Sequence, residues 1–388
     1  MSKLKRRIIT IVAAITMVLP FATLGNSAST NAASTVNAAA TSKTVTVTDQ
    51  AGDKVTVPKN SKRIAVVGIW PLPAVITTFF NSSSRLVYMP QASMAAAKND
   101  LLSELYPNIT KVKAVNDNGG ATFNTEELKK ARPDIVFYTA ENPKTKAKLE
   151  QAGFKAVGVS TSKWHGNTIE TLDNWYSLLS KLYPQKKSQA KVIKNYSDKT
   201  YNRVQKQVKT IPTSQRKSVF FLHQYAASTL STGGSNSFAD YWAKATGTKQ
   251  VVKNAGAGNG LAVTMEQIYK WNPQLIFVTN FTTAQPKDLY NNTIGNYDWS
   301  KVAAVQNKHV YKMPLGMYRS YTPGVDTPLT LLWMAKTAYP SKFKDVNMVK
   351  EAKTYYKKAF KVNLTTKQAK SIFNPSSAAG KSTISTQQ

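Results

Sequence analysis

The sequence predicts an α/β chain of two lobes joined by one long α-helix, and three observations carry that prediction. A helix–strand unit occurs twice. Shifting residues 124–137 by 140 positions lays Glu126 on Glu266, Leu128 on Ile268, Pro133 on Pro273, and Ile135-Val136-Phe137 on Leu275-Ile276-Phe277. In each copy a short amphipathic stretch opens with an acid and is stopped by proline, which lacks the N–H a helix interior needs. The run behind the proline is apolar at consecutive positions, the pattern of a strand buried on both faces of a parallel sheet. Between the copies, a lysine-rich segment bracketed by Pro184 and Pro212 carries Ala190, Ile193, Tyr196, Val204, Val208 and Ile211 at helical spacing. That spacing predicts one linking helix over 184–212, about 40 Å long and able to reach from one lobe to the other. Beyond it the alternation of strands and helices restarts.

In chain order, residues 44–58 alternate apolar and polar side chains around Ala51-Gly52-Asp53, a β-hairpin pattern. Residues 62–68 step into a buried strand that ends at Gly68. Trp70 opens the following loop, an apolar helix runs to Phe80, and 86–88 form a second strand. The first repeat ends at a loop holding Glu141. A helix over 144–152, a stop at Gly153 and a strand at 156–159 lead into a loop with Trp164 and His165, then a helix over 168–182. In the second half, 218–222 are a strand and His223 to Tyr225 its closing loop. Residues 230–237 lead into an aromatic helix, and 256–260 form a glycine-rich loop. The second repeat ends at Asn280 and Phe281. A short helix at 299–305, a strand at 309–313, a loop holding Tyr318 and Arg319, and helices at 328–339 and 349–360 follow. Residues 375–388 are polar and expected to be disordered.

Of 388 residues, 42% are hydrophobic, enough for two cores. Residues 1–40 read as a secretory signal and leader. Lys3, Lys5, Arg6 and Arg7 precede an apolar run over 8–24, and small residues follow. An uncleaved membrane anchor is the alternative, since the run is nearly long enough to span. There is no cysteine, which excludes disulfides, thiolate metal sites, a cysteine nucleophile and a lipid-bearing cysteine at the signal boundary. A net charge of +32 implies anionic surroundings. The lysines are dispersed and no nucleic-acid motif accompanies them, so an anionic cell envelope is the expected partner, and nucleic acid is not.

The order of these signals resembles a known family. "VTVTDQAGDKVTVP" followed by "KRIAVVG" is similar to the opening of the substrate-binding proteins of ABC transporters for ferric siderophores, haem and cobalamin, the helical-backbone type of periplasmic binding protein. "GGSNSFADYWAKATGTKQVV", "TMEQIYKWNPQLIFVTN", "HVYKMP" and "TPGVDTPLTLLWMAK" continue the likeness, which covers residues 44–362. It implies Rossmann-like lobes at 44–183 and 213–362 with a ligand cleft between them. It also implies a monomer without cofactor or enzymatic activity, secreted to the extracellular face of the envelope. There it would capture a metal-chelate small molecule, most simply a ferric siderophore, and deliver it to an ABC permease. Haem or cobalamin is the alternative cargo, and an envelope adhesin reusing the fold the alternative class.

In open α/β sheets ligands sit beyond the carboxyl ends of the strands. The candidates there are Trp70, Glu141, Trp164 and His165 in the first lobe, and His223, Tyr225, Asn280, Phe281, Tyr318 and Arg319 in the second. Aromatic rings offer broad contact to flat or chelated ligands, and arginine suits carboxylates. His165 and His223, one per lobe, could also ligate iron, although a bare metal site needs more ligands than Glu141 adds. His309 begins a strand and is read as structural. For Glu126 and Glu266 the resemblance implies docking into the permease; their ordinary role is to complement a helix N-terminus. Gly-x-Ser-x-Gly, His-Glu-x-x-His and Gly-x-x-x-x-Gly-Lys are all missing, so no catalytic residues are expected.

Overall fold

The computed structural model describes residues 43–253 and 255–380. The expected signal over 1–40 and the end of the expected tail, 381–388, lie outside the described residues. Of the tail, 375–380 are described and include a 3-10 turn at Ser377–Gly380.

Fourteen strands are described. β1 (Thr44–Thr48) and β2 (Lys54–Pro58) form the antiparallel hairpin that the alternation predicts, with Val47 opposite Val55. β3 (Ile64–Val67), β4 (Leu86–Pro90), β5 (Lys113–Val115), β6 (Ile135–Thr139) and β7 (Ala156–Val159) make a parallel sheet in the order β5-β4-β3-β6-β7. Two parallel strands of the second sheet's centre, β8 (Ser218–Leu222) and β13 (Leu275–Val278), are flanked by β11 (Lys249–Gln250) and β14 (Val310–Lys312), in the order β11-β8-β13-β14. All residues of β3 and β13 are buried, as consecutive apolar positions require of strands covered on both faces.

β9 (Gln224–Ala226), β10 (Thr229–Gly233) and β12 (Asn259–Ala262) form a separate antiparallel sheet. The expected loops at 223–225 and 256–260 thus differ from the structure. His223 N–H donates to the Ser231 carbonyl at 2.8 Å, and that pairing turns the segment back as a hairpin.

The linking helix runs over Lys187–Val208, behind a 3-10 turn at Pro184–Lys186. Its 22 residues span about 33 Å, shorter than expected because the proline end adopts the tighter turn. Ala190 and Ile193 pack into the apolar cluster of the first sheet, whereas Val204 and Val208 pack into that of the second. One helix therefore closes both cores. The C-terminal helices return to the first lobe. Tyr355, Tyr356 and Phe360 of Met348–Phe360, and Ile372 of Thr366–Ile372, join the first sheet's cluster. Arg203 of the linking helix holds this return, reaching Asp345 at 2.8 Å and Glu351 at 2.7 Å.

Phe277, fully buried at the centre of the second sheet, packs on Phe221 at 5.6 Å and Trp333 at 5.5 Å between ring centroids. Phe277→Ala should lower unfolding free energy by about 3–5 kcal/mol, measured by urea denaturation. A loss under about 1 kcal/mol would show that this sheet is not a packed core.

Candidate ligand-binding site

The strand orders locate the site. Each parallel sheet reverses its winding between two neighbours, β3 and β6 in the first and β8 and β13 in the second. The loops diverge at such a point and leave a crevice at the carboxyl ends. Gly68 to Trp70 follow β3 and Glu141 follows β6; His223 follows β8, and Thr279 to Phe281 follow β13.

Gly68 adopts φ 80°, and a Cβ there would lie 2.7 Å from both Gly119 O and Thr139 Oγ1. Its N–H donates to the buried Asp117 carboxylate at 2.6 Å, which turns the chain toward Trp70. Across the gap, Trp70 packs on Phe281 with centroids 6.5 Å apart. Gly166, at φ 78°, closes another edge: a Cβ there would collide with the carbonyl of Ser237, whose hydroxyl caps the helix Phe238–Ala245 by accepting from Asp240 N. Between these contacts lies a cavity of about 310 Å³, with Trp70, Ser162, Trp175, Phe238, Asn259 and Tyr318 among its lining residues. The hydrogens on Trp70 Nε1 and Tyr318 Oη are buried without an acceptor among the described residues, and the Arg319 side chain lies against the Tyr318 hydroxyl. Burial pushes the Tyr318 hydroxyl up to about 12.

Behind Tyr318 stands a cationic and aromatic pile. The Arg319 guanidinium, 1% exposed, lies 4.9 Å from the Phe281 centroid, and His223 stacks on the same ring at 5.0 Å. Tyr321 sits 5.3 Å from His223, whose Nδ1 is 3.4 Å from Ser231 Oγ. Burial, and then the Arg319 charge, lower the His223 pKa from 6.5 to about 4. Lys312 supports the loop under Phe281, its ammonium donating to the carbonyls of Thr279 and Thr282 at 2.7 Å and of Ala284 at 2.8 Å. Burial, and then Arg319, pull its pKa down to about 7.

Glu141, Asn280 and Tyr225 hold the scaffold around the cavity. Glu141 Oε1 accepts from Thr161 N at 3.0 Å, Ser162 N at 2.9 Å, Ser162 Oγ at 2.8 Å and Ser160 Oγ. Burial pushes this carboxyl up, but those donors prevail and hold it below its usual value. It orders the loop that brings Ser162 to the cavity. Asn280 ties two strand ends by donating to the carbonyls of Met313 at 2.9 Å and Pro314 at 2.8 Å. Tyr225 departs furthest from expectation. The β9–β10 hairpin turns it into the core, where it donates to Ile294 O at 2.9 Å and accepts from Trp299 Nε1 at 3.1 Å. Trp164 is half-buried and His165 exposed, on the loop whose Gly166 lines the cavity. His309 makes backbone hydrogen bonds to Ala304 and Ile276, at 2.7 and 3.0 Å. Among the described residues no group of three or more His, Asp or Glu side chains could hold a metal ion.

Sequence reasoning passed over Ser162, Trp175, Phe238, Asn259 and Tyr321. Phe238 and Asn259 had a signal, standing beside the glycine-rich stretches that let backbones approach closely.

Glu126 and Glu266 lie in the first turns of the helices Thr125–Lys130 and Met265–Trp271, each leading into a switch-point strand. Both are exposed. Glu126 is 3.0 Å from Lys129, and a hydrogen bond from the Thr264 hydroxyl lowers the Glu266 pKa.

The family model described as "Periplasmic binding protein" matches residues 89–315. The chain belongs to that family. Its members are solute-binding proteins of ABC importers, so a small-molecule ligand and a permease are its partners, outside the cytoplasm. A periplasmic solute-binding protein of Veillonella parvula is similar in structure, with a TM-score of 0.75 and 27% identity over 85% of this chain and 97% of that one. CeuE of Helicobacter pylori, in a nickel–histidine complex, has a TM-score of 0.69 and 21% identity over 85% and 99%. The molybdate-binding protein MolA of Haemophilus influenzae is 22% identical over 78% of this chain and 87% of its own, and its molybdate-bound structure gives a TM-score of 0.69. These two likenesses carry the two-lobed fold and no more.

The depressed His223 pKa predicts a pH dependence. Its stabilising contribution is complete above 6.5, where both states are neutral. It is lost as pH falls toward about 4, because the unfolded chain takes up a proton that the folded one refuses. Substituting His223→Gln should flatten unfolding free energy against pH across that window. An unchanged slope would show that His223 is not buried neutral.

Proposed function

We propose that this protein captures a compact, anionic metal chelate of the ferric-siderophore class and delivers it to its importer. The observation that carries this reading is the pairing of two buried, unpartnered polar hydrogens, on Trp70 Nε1 and Tyr318 Oη, within one aromatic cavity backed by Arg319. Aromatic walls suit the faces of a chelate, and the two donors suit its oxygens. About 310 Å³ is at the small end of ligand pockets and weighs against haem and cobalamin. The same size, with MolA among the relatives, supports a second reading in which the cargo is a compact oxyanion such as molybdate.

In this reading 44–183 and 213–362 act as the two lobes, the end of the second, Met348–Phe360, packing back on the first, and the linker over 184–212 with its helix Lys187–Val208 limits their opening. The chain works as a monomer, secreted and held at the extracellular face of the envelope by its basic surface. Glu126 and Glu266, exposed at equivalent positions of the two repeats, dock into the permease.

Tryptophan fluorescence titration should find a ferric siderophore bound at micromolar concentration or tighter, and Tyr318→Phe should weaken it about tenfold, the worth of one hydrogen bond. Molybdate binding without any siderophore binding would transfer the assignment to the oxyanion. Replacing Glu126 and Glu266 together by alanine should leave the titration intact and abolish uptake by cells; undiminished uptake would remove the docking role.

A further inference from the structure

Between Lys336 and Lys370 the chain carries ten lysines and two acids, Asp345 and Glu351. Both acids are engaged by Arg203, at 2.8 and 2.7 Å. Among the described residues, none of the ten lysines lies within ion-pair distance of a carboxylate. Asp345 lines one of the hollows beside these lysines and feels the charge of Lys336, but it is already paired with Arg203. The positive charge here is therefore in large excess, whereas Lys146, Lys194 and Lys244 have acidic partners of their own.

Packing directs these charges outward. The helix Met348–Phe360 buries Ala352, Tyr355, Tyr356, Ala359 and Phe360, so Lys350, Lys353 and Lys357 fall on its opposite face, about one turn apart. Beside that face lie two hollows of about 640 and 430 Å³. They share Asn347, Val349 and Lys370 and so form one furrow, with Lys336 and Lys344 on one part and Lys350 and Lys353 on the other.

We infer that this furrow is a docking surface for a linear polyanion of the cell envelope, a chain of repeating phosphodiesters. Ammonium groups are strongly hydrated point charges that serve as phosphate binders without a fixed fork geometry. A row of them along a concave track neutralises successive phosphates and gains by counterion release, as with other polyphosphate chains. A bilayer surface fits less well. Membrane-seated faces add exposed apolar side chains to their basic ones, and the exposed large hydrophobics among the described residues are Val192 and Tyr201, both on the linking helix. The inference rests on the extracellular placement proposed above and narrows its dispersed basic surface to one face. Such a tether would keep the protein near its permease.

The test is fluorescence anisotropy of labelled poly(glycerol phosphate) with the full chain and two variants of equal charge change. One reverses Lys344, Lys350, Lys353 and Lys370 to Glu; the other reverses the exposed Lys54, Lys59, Lys130 and Lys144. The furrow variant should lose about tenfold or more in affinity near physiological salt and show a shallower salt dependence, while the control loses less than about threefold. Chelate titration of the furrow variant should match the wild type, which separates this surface from the cleft. Equal losses in both variants would overturn the inference in favour of a diffuse charge effect. Co-sedimentation with phosphatidylglycerol vesicles but no binding to the polymer would overturn it in favour of a membrane.

Discussion

Trp70 packs on Phe281 across the line where the loops of two parallel sheets meet, and the site depends on that contact. Trp70 borders the apolar clusters of both sheets, so its position reports on the two cores at once. The contact follows from topology. Strands buried on both faces offer a ligand only their carboxyl ends, and each sheet parts its loops where its order reverses. The Gly68 turn delivers Trp70 from one reversal, and the loop pinned by Lys312 delivers Phe281 from the other.

Electrostatics at the site run opposite to what burial favours. A histidine, a lysine and an arginine are gathered behind one cavity, and burial works against charge on the first two. His223 yields and stays neutral, while Lys312 surrounds its ammonium with three carbonyls. The Arg319 guanidinium lies over an aromatic face. Such an arrangement in an apolar setting suits the anionic cargo proposed above.

The fold was legible because its signals are local. Proline after an amphipathic turn and consecutive apolar residues marked both central strands, and alternation marked the hairpin. The site was legible as a set of loops, less so as a set of side chains. Trp70, Tyr318, Phe281, His223 and Arg319 follow strands and meet at or behind the cavity. Tyr225 follows a strand too, yet a hairpin two residues long in its turn sends it into the core. Glu141 and Asn280 are likewise spent on backbone groups that have no mark in the sequence. The return of the C-terminal helices to the first lobe buries Tyr355, Tyr356 and Phe360 there and brings Arg203 to acids more than a hundred residues away, which no periodicity announces.

The proposed place of the cargo is between the lobes, against Trp70 and Tyr318. The most direct measurement is a crystal structure of the complex with a tightly bound ferric siderophore, the metal located by its anomalous scattering. One iron peak is expected in the cavity, with chelate oxygens within hydrogen-bond distance of Trp70 Nε1 and Tyr318 Oη. Iron on an outer face of either lobe, with that cavity unfilled, would contradict it.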